Sequence, residues 1–428
     1  MSTSATGPGR GLVTIGPMLW LASLLFVFFA GWAIQLNYWA LWLISQGMGD
    51  ANIGTLVALG LLGRALVSSA VYPPVLRRYE ARQTLRVFVV GAAVFSALFS
   101  ALGGFAGLAL ISFLFGATFP VVMPLSETLL SRAVAARTVT YGAARLWGSV
   151  GFIAGVGLAS CAADLWGNQA IVYCMDLVCA VLLAHALLLL PCEPAFTAPD
   201  IESGGNGSLG WCFAAVLGVA ALVQGSHAAY FLFAAVTIQG DARNPLIASA
   251  VFALAICCEI IGFRSFSKLS DEHAISPLLL AGAVAAVLRW SIVAIHPSLW
   301  TIVFTQPLHA LTFAGTHYAF ATYVRRYVPP NRWAFAHGAY ATIAMSLAVA
   351  GASLVAGAAS QGAAVSVAYW WMAGFAGLAA FSTLLAVASR MFRNNRMAAE
   401  VATDAAAISK GLLHEYGTSR PAPGGHVA

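Results

Sequence analysis

Apolar stretches of about 20 residues or more follow one another along nearly the whole 428-residue chain. Each is long enough to cross roughly 30 Å of hydrocarbon as an α-helix. In lipid such a stretch must be helical, because every backbone N–H and C=O has to find its partner within the segment. The sequence therefore predicts an all-α membrane protein with about twelve transmembrane helices in two six-helix bundles. The predicted segments are 17–43, 51–77, 84–104, 106–131, 139–162, 168–190, 210–239, 245–264, 275–294, 297–325, 333–357 and 361–391.

The composition excludes an ordinary soluble protein. Hydrophobic residues make up 60% of the chain and charged residues only 8%, whereas soluble domains are about one quarter charged. The first apolar segment is longer than the apolar region of a cleaved signal peptide, which is about 7 to 15 residues. We expect it to be retained as a membrane span.

The distribution of Lys and Arg predicts the orientation, because these residues stay on the cytoplasmic side of short loops. They cluster after the second, fourth, eighth, tenth and twelfth segments, and Arg243 is the exception. With an even number of spans, both termini are predicted to be cytoplasmic, in the cell inner (plasma) membrane. This topology accounts for the net charge of +6, so no nucleic-acid partner is expected. The clustered residues are Arg77, Arg78, Arg82, Arg86, Arg132, Arg137, Arg264, Lys268, Arg325, Arg326, Arg332, Arg390, Arg393 and Arg396.

A polar linker divides the chain into two halves. The stretch "PCEPAFTAPDIESGGNGSLG" (191–210) collects Pro, Gly, Ser and acidic residues. "YWALWLISQGMGD" (38–50) resembles "YFLFAAVTIQGD" (230–241), which favours parallel repeats with a site between them. We predict an N-terminal bundle (1–190), a cytoplasmic linker (191–209), a C-terminal bundle (210–392) and a disordered cytoplasmic tail (393–428).

No motif of an enzyme or of an ATP-driven pump is present. The seven Cys residues contain no C-x-x-C pair, and the chain has no G-x-S-x-G, Walker A or H-E-x-x-H pattern. We therefore expect a protein that is not an enzyme and that has no cofactor and no metal site. The expected partners are a small-molecule substrate, protons and the lipid bilayer, and the expected state is a monomer.

One candidate pair lies on the fourth and fifth segments. Glu127 is about four residues before the cytoplasmic end of its segment, and Arg145 is about six residues after the start of the next. At 1.5 Å per residue their depths differ by about 3 Å, so they can meet. Such a pair either binds ligand or is a structural bridge. Trp147 either stacks on a ring of the ligand or packs in the core.

A second set lies in the other half. By the same arithmetic Glu259 and Arg289 are about 15 Å apart in depth, so a direct pair is not expected, and His309 lies between them. A His beside a desolvated Glu is a natural proton relay, because both groups can change charge near neutral pH. The alternative is a neutral His that is hydrogen-bonded between helices.

Other polar residues within spans are weaker candidates. Arg64 lies near mid-span, where a charge without a function is costly. A purely structural role is the stronger reading for Asp176, which lies about 12 Å from one aqueous side. His227, His317 and His337 are either ligand or proton groups or neutral hydrogen-bonded side chains. The remaining candidate substrate contacts are Asn37, Tyr38 and Gln224.

Three motifs carry a resemblance to a known family. "PLSETLL" (124–130), "YGAARLWGSVGF" (141–152) and "QPLHALTFAGTHYAF" (306–320) resemble the phenylpropionate permease branch of the major facilitator superfamily. That branch is related to the lactose permease and nucleoside symporter branches. The resemblance runs from about residue 30 to 390. It implies the major facilitator fold and alternating access.

The resemblance also implies roles for individual residues. In the lactose permease branch, a Glu and an Arg eighteen residues later bind substrate, and Glu127 and Arg145 have this spacing. Glu259, Arg289 and His309 fall where that branch carries the Glu, Arg and His of binding and proton coupling. Thr312 stands where that branch has its proton-carrying Glu, so Glu259 becomes the expected substitute. The loop "YPPVLRRYEARQTLR" (72–86) also departs from the superfamily signature.

We therefore expect a secondary active transporter, a proton-coupled symporter of a small aromatic or other monocarboxylate. The alternatives are a sugar or nucleoside symporter, a metabolite or drug exporter, and, least favoured, a transporter-fold ligand sensor. The predicted substrate-binding residues are Glu127, Arg145, Arg64, Trp147, Tyr38, Asn37, Gln224 and His227. The predicted proton-coupling residues are Glu259, His309, Arg289 and His317.

Overall fold

Within the described residues, twelve helical runs follow one another. The computed structural model describes residues 13–191, 209–241, 244–269, 271–329 and 332–388. The predicted tail (393–428) therefore lies outside the described residues, and of the predicted linker (191–209) only residues 191 and 209 lie within them. The described residues up to Ala380 form one compact unit, and all contacts reported below lie within it. The helices are α1 (Pro17–Asn37, continued by Trp39–Ser45), α2 (Asp50–Val75), α3 (Ala81–Ala101), α4 (Gly104–Val134), α5 (Tyr141–Trp166), α6 (Ala170–Leu188), α7 (Gly210–Asp241), α8 (Leu246–Phe266), α9 (Ile275–Ile295), α10 (Leu299–His309, Ala310–Gly315 and Thr316–Tyr327), α11 (Trp333–Ser360) and α12 (Ser366–Ala388).

The predicted fold class is confirmed. Within the described residues, eleven helices are long and apolar enough to cross a membrane. The run that is not among these eleven is α10, which carries Gln306, His309 and His317 in its interior. The observed bounds lie within a few residues of the predicted segments. The prediction was least accurate at α1, which is interrupted at Tyr38.

Helix ends follow local sequence signals. Pro17 occupies the first turn of α1, where a missing N–H costs nothing. Asn244 accepts a hydrogen bond from the backbone N–H of Leu246 over 2.9 Å and so caps α8. Ser298 and Thr301 form a capping box at the start of α10. These helices therefore begin where the apolar stretches of the sequence begin.

In the part of the chain that the structure describes, three helices contain π-helical turns, and two short strands pair. The π-helical turns are Val67–Val71 in α2, Ala310–Gly315 in α10 and Tyr340–Leu347 in α11. Such turns often occur at functional sites, because the extra residue redirects the side chains that follow. Strands β1 (Val13–Ile15) and β2 (Leu189–Pro191) pair in parallel beside the first and sixth helices.

Glycines allow the closest helix contacts. A Cβ at Gly151 or Gly155 of α5 would collide with backbone atoms of α1, so these two helices touch backbone to backbone. Gly54 of α2 and Gly357 of α11 allow the same backbone-to-backbone contact between one of the first six helices and a helix of the second half. A Cβ at Gly357 would lie 2.5 Å from the carbonyl oxygen of Asp50. Helices α5 and α8 also meet across this division.

Candidate functional site

A chain of polar side chains runs through α7, α8, α9 and α10. The Nε2 atom of His309 lies 2.7 Å from Oε1 of Glu259. The Nδ1 atom of the same ring lies 2.7 Å from Nη1 of Arg289. The structure therefore brings the three predicted residues together, with the imidazole between the carboxylate and the guanidinium. Glu259 and Arg289 form no direct ion pair with each other within the described residues.

The partners of His309 assign its protons. A guanidinium only donates hydrogen bonds, so Nδ1 of His309 accepts from Arg289 and carries no proton. The ring proton is then on Nε2, which donates to the Glu259 carboxylate. Protonating Nδ1 would require Arg289 to move away. His309 is therefore held as a neutral donor by its two neighbours.

The chain continues beyond Arg289. Nη2 of Arg289 donates to Oε1 of Gln306 over 2.8 Å. The amide nitrogen of Gln306 then donates to the Tyr230 hydroxyl over 2.9 Å and to the backbone oxygen of Val251 over 3.2 Å. The guanidinium also lies 4.8 Å from the ring centroid of Tyr230, which is within cation–π range. Arg289 is completely buried, and these contacts hold it in one orientation.

His227 lies behind this chain. Its Nδ1 atom is 3.0 Å from the backbone oxygen of Val223, to which it can only donate. Its Nε2 atom therefore accepts from Thr312 Oγ1, which lies 3.1 Å away. The ring of His227 is fully buried. These bonds are those of a neutral side chain held between helices, and they give Thr312 a partner.

In the first six helices, Glu127 and Arg145 meet as their depths predict. Nε of Arg145 lies 3.4 Å from Oε1 of Glu127, and the Tyr141 hydroxyl donates to Oε2 over 3.2 Å. The Arg145 guanidinium stands over the Phe29 ring at 4.3 Å. The two charged side chains remain 31% and 28% exposed, so a ligand can reach them.

Arg64 has a different environment. Its guanidinium lies 4.9 Å from the ring centroid of Trp32 on α1 and is 9% exposed. Within the described residues it makes no hydrogen bond and no ion pair. It is a largely buried cation without an acidic partner among the described residues.

Other predicted residues are spread around the interior. Tyr38 is fully buried and meets Phe252 edge-on at 5.8 Å. The amide nitrogen of Asn37 donates to the Ala33 oxygen of its own helix. Gln224 donates to the Tyr340 hydroxyl over 3.2 Å. Each of these groups therefore has a neighbour within the protein.

His317 is half-buried, whereas Trp147 is exposed. Nδ1 of His317 is 3.3 Å from the Tyr340 hydroxyl. Trp147 is 45% exposed, as is Val150 on the same stripe of α5 at 41%. At 100° per residue, Trp147 is rotated by about 200° from Arg145 around the helix axis, so the two side chains point about 160° apart. The structure therefore does not bring Trp147 to the side of α5 that carries Arg145.

The two sets of charged residues lie on helices that touch. Arg145 belongs to α5 and Glu259 to α8, and these two helices pack against each other. Within the described residues, no three His, Cys, Asp or Glu side chains are grouped to hold a metal ion.

Sequence reasoning missed Gln306 and Trp32. Gln306 precedes His309 by three residues, so both lie on one face of α10, and this spacing was the available signal. Trp32 was inconspicuous because aromatic residues are frequent in α1. Its position over Arg64 depends on how α1 and α2 are rotated against each other.

Comparison with known proteins agrees with this architecture. Residues 18–372 match the model of the MFS_1-like family. The chain is 29% identical over 311 residues to the probable 3-phenylpropionic acid transporter of Escherichia coli K12, covering 71% of this chain and 81% of that protein. It is 26% identical over 275 residues to the maltose permease of Geobacillus stearothermophilus, covering 63% and 68%.

Solved structures share the fold at low sequence identity. The nucleoside transporter NupG superimposes with a TM-score of 0.70 at 15% identity, covering 87% of this chain and 99% of that one. A bacterial homologue of the human lysosomal transporter Spinster, solved in an inward-facing conformation, superimposes with a TM-score of 0.63 at 14% identity, covering 86% and 96%. The chain belongs to the MFS_1-like family and is a multi-pass membrane protein, a secondary transporter of the major facilitator type.

Proposed function

We propose that the protein is a proton-coupled symporter of a small aromatic or other organic monocarboxylate, working by alternating access. The proposal rests on the charges inside the bundle, on the chain from Glu259 to Arg289 and on the similarity to a probable 3-phenylpropionic acid transporter. The charges support a monocarboxylate as the substrate. The hydrogen-bonded chain from Glu259 to Arg289 supports coupling to a proton.

The charge count is the observation that carries the substrate class. In the described part of the interior, the cations are Arg64, Arg145 and Arg289, and the carboxylates facing them are Glu127 and Glu259. Three positive charges against two negative charges leave a net charge of +1. Buried charges are costly unless they are compensated. One monovalent anion in the cavity would complete the balance.

Asp176 does not supply the missing charge. Its carboxylate accepts hydrogen bonds from Ser96 and Ser100, which both belong to α3. It therefore belongs to the contact between α3 and α6. The three interior arginines are therefore faced by only two carboxylates among the described residues, those of Glu127 and Glu259.

Glu259 is the best proton site in this arrangement. Both nitrogens of His309 are engaged, since Nδ1 accepts from Arg289 and Nε2 donates to Glu259. A carboxylate has a second oxygen that can take a proton without breaking the bond from His309. The Glu259 side chain is 15% exposed whereas that of His309 is 7% exposed. Glu259 is thus the more accessible of the two.

Proton and substrate are coupled through charge. Protonation of Glu259 removes one negative charge from a region that already has an excess of positive charge. A carboxylate substrate then becomes more favourable there by the Coulomb attraction it gains. Conversely, an empty site favours release of the proton. This reciprocity is the thermodynamic requirement for symport.

A neutral sugar or nucleoside is the second candidate. The charges of Glu127 and Arg145 cancel, and together they offer both donors and acceptors to hydroxyl groups. The similarity to a maltose permease agrees with this reading. Under it, the excess charge at Arg64 would have no role in binding.

The orientation and the division into halves complete the proposal. We place both termini in the cytoplasm of a plasma-membrane monomer, because the Arg-rich loops follow even-numbered helices. The six-helix halves, 1–190 and 210–392, rock around the charged interior. The linker between them then lies on the cytoplasmic side.

Counterflow in proteoliposomes tests the substrate class. Vesicles loaded with unlabelled compound receive labelled 3-phenylpropionate, a hexoside or a nucleoside, each in parallel with protein-free vesicles. We expect counterflow of the carboxylate alone. Counterflow of the hexoside that no monocarboxylate inhibits would replace the first candidate by the second.

A further inference from the structure

The three interior arginines are not equivalent. Arg145 is engaged by Glu127 at 3.4 Å. Arg289 is fully buried and donates to His309 and Gln306. Arg64 has neither kind of partner among the described residues. The unbalanced positive charge therefore resides at Arg64.

The environment of Arg64 offers it no compensation. Among the described residues, no ion pair and no hydrogen bond involves this guanidinium, which contacts the ring of Trp32. A guanidinium carries five N–H donors in one plane. The residue is 9% exposed, and no Arg64 nitrogen is among the fully buried unpartnered atoms of the described residues, so an acceptor can reach these donors. The arrangement is therefore that of a binding site for an acceptor that comes from outside the protein.

The geometry leaves the binding edge of Arg64 available. Trp32 covers one face of the guanidinium, with the ring centroid 4.9 Å from Cζ. A carboxylate binds a guanidinium in its plane, through two parallel N–H bonds at the edge. The face contact with Trp32 and the edge contact with a carboxylate are therefore compatible. The indole of Trp32 fixes the orientation of the Arg64 guanidinium and of its N–H edge.

Trp32 also presents surface to a ligand. Its side chain is half-buried, and Gln35 lies on the same side of α1, one turn further along. Oε1 of Gln35 is buried and has no hydrogen-bond partner among the described residues. The indole and the guanidinium thus lie together, and a buried amide oxygen without a hydrogen-bond partner among the described residues lies one turn further along α1. Together they offer an apolar wall and polar groups.

We infer that Arg64 holds the carboxylate of the substrate and that Trp32 contacts its aryl or alkyl group. This inference rests on the proposed monocarboxylate substrate and assigns the site within the cavity that takes the anion. Arg145 then has a different task. It pairs with Glu127, while Arg64 binds the negative charge of the substrate.

The test compares an acid with its neutral amide. Binding of 3-phenylpropionate and of 3-phenylpropionamide is measured on the purified full-length protein. Arg64→Gln should weaken acid binding by about 10- to 100-fold, the loss expected for a charge-assisted pair. Binding of the amide should change by less than about threefold, because it has no charge to lose. The ratio of the two affinities is the readout.

Arg86→Gln is the matched control. It removes one positive charge from an arginine whose Nε binds the backbone oxygen of Ala186, between α3 and α6. The acid-to-amide ratio should be unchanged in this variant. Thermal unfolding of the ligand-free Arg64→Gln protein serves as a folding check. Its midpoint should be equal to or above that of the wild type, because an unpaired buried charge has been removed.

Two further variants keep the inference testable if Arg64→Gln does not fold. Arg64→Lys retains the charge but loses the fork, so acid binding should fall by about tenfold. Trp32→Leu should reduce the preference for 3-phenylpropionate over butyrate. In Arg145→Gln the acid should still bind better than the amide.

The outcomes separate two failures. An unchanged acid-to-amide ratio in Arg64→Gln, with loss of the ratio in Arg145→Gln, would overturn the assignment of Arg64 and leave the monocarboxylate function intact. Equal binding of acid and amide by the wild type would instead contradict the proposed function. If Arg64→Gln loses the preference for the acid over the amide and Arg145→Gln keeps it, the result supports both the assignment of Arg64 and the proposed function.

Discussion

The imidazole of His309 donates its Nε2 proton to the Glu259 carboxylate over 2.7 Å, and Arg289 occupies the other nitrogen of the ring. The relationship spans three helices. Arg289 fixes the tautomer of His309, and the tautomer fixes the bond to Glu259. A substitution at any one of the three residues therefore alters the hydrogen bonds of the other two.

The first prediction concerns this dependence. His309→Phe keeps a ring of similar shape but removes both nitrogens, so Arg289 loses an acceptor and Glu259 loses a donor. Breaking such a buried charged network costs about 3–5 kcal/mol. We expect the thermal midpoint of the detergent-solubilised protein to fall by several degrees.

The same substitution at His337 is the control. The ring of His337 meets Phe320 edge-on at 6.1 Å and lies outside the chain from Glu259 to Arg289. His337→Phe should leave the midpoint nearly unchanged. Equal losses in the two variants would mean that the bonds of His309 contribute little to stability.

The second prediction follows from the charge count. Glu127→Gln removes a negative charge beside Arg145 and makes the interior more positive. At an effective dielectric constant of about 20 and a separation of about 10 Å, this favours an anion by about 1–2 kcal/mol. We expect 3-phenylpropionate to bind more tightly and its amide to bind as before, as measured by equilibrium binding.

Asp176→Asn removes the same charge from the contact with Ser96 and Ser100 on α3. It should not change acid binding, since this carboxylate does not face the three arginines. Weaker acid binding in Glu127→Gln would show that the carboxylate of Glu127 is itself a ligand contact, as the sugar reading requires.

The third prediction concerns the contact between α2 and α11. A Cβ at Gly54 would collide with the backbone of Ser353, and Gly357 packs as closely against Asp50. Gly54→Ala must therefore separate the two helices and favour conformations in which this end of the bundle is open. Spin labels at Asn52→Cys and Gln361→Cys, in a variant without native cysteines, should report a longer distance.

Gly351 on α11 provides the control, because a Cβ there meets nothing within 4 Å. Gly351→Ala should leave the label distance unchanged. If Gly54→Ala gave the wild-type distance, the close glycine contact would not be what holds this end together.

The sequence was sufficient for the helices and for one pair of charges. Spans follow from the length of apolar stretches, and the depths of Glu127 and Arg145 follow from counting residues along two helices. The same counting put His309 between Glu259 and Arg289. The predicted depth of a residue depends on the rise per residue, so an error of one or two residues in a helix end changes this depth by only about 1.5–3 Å.

Rotation and side-chain reach could not be predicted. The pairing of Arg64 with Trp32, and the orientation of Trp147 away from Arg145, depend on how each helix is turned about its axis. The interruption at Tyr38 and the π-helical turns have no clear sequence signal. Gln306 was missed because its importance arises from where Arg289 points.

The last prediction concerns the proton. Glu259→Gln resembles the protonated carboxyl group, so the variant should bind substrate and exchange it across the membrane but should not accumulate it. Exchange needs the rocking movement alone, whereas accumulation needs a group that takes up and releases a proton. Glu127→Gln is the matched control, because it makes the same substitution in the carboxylate that we place outside the proton pathway.

Proton influx on addition of 3-phenylpropionate to proteoliposomes, followed with a pH-sensitive dye, tests the proposed mechanism most directly. The wild type and Glu127→Gln should take up protons together with the substrate. Glu259→Gln should give no proton signal while counterflow of labelled substrate continues. Proton uptake by Glu259→Gln at the wild-type ratio to substrate would contradict the account.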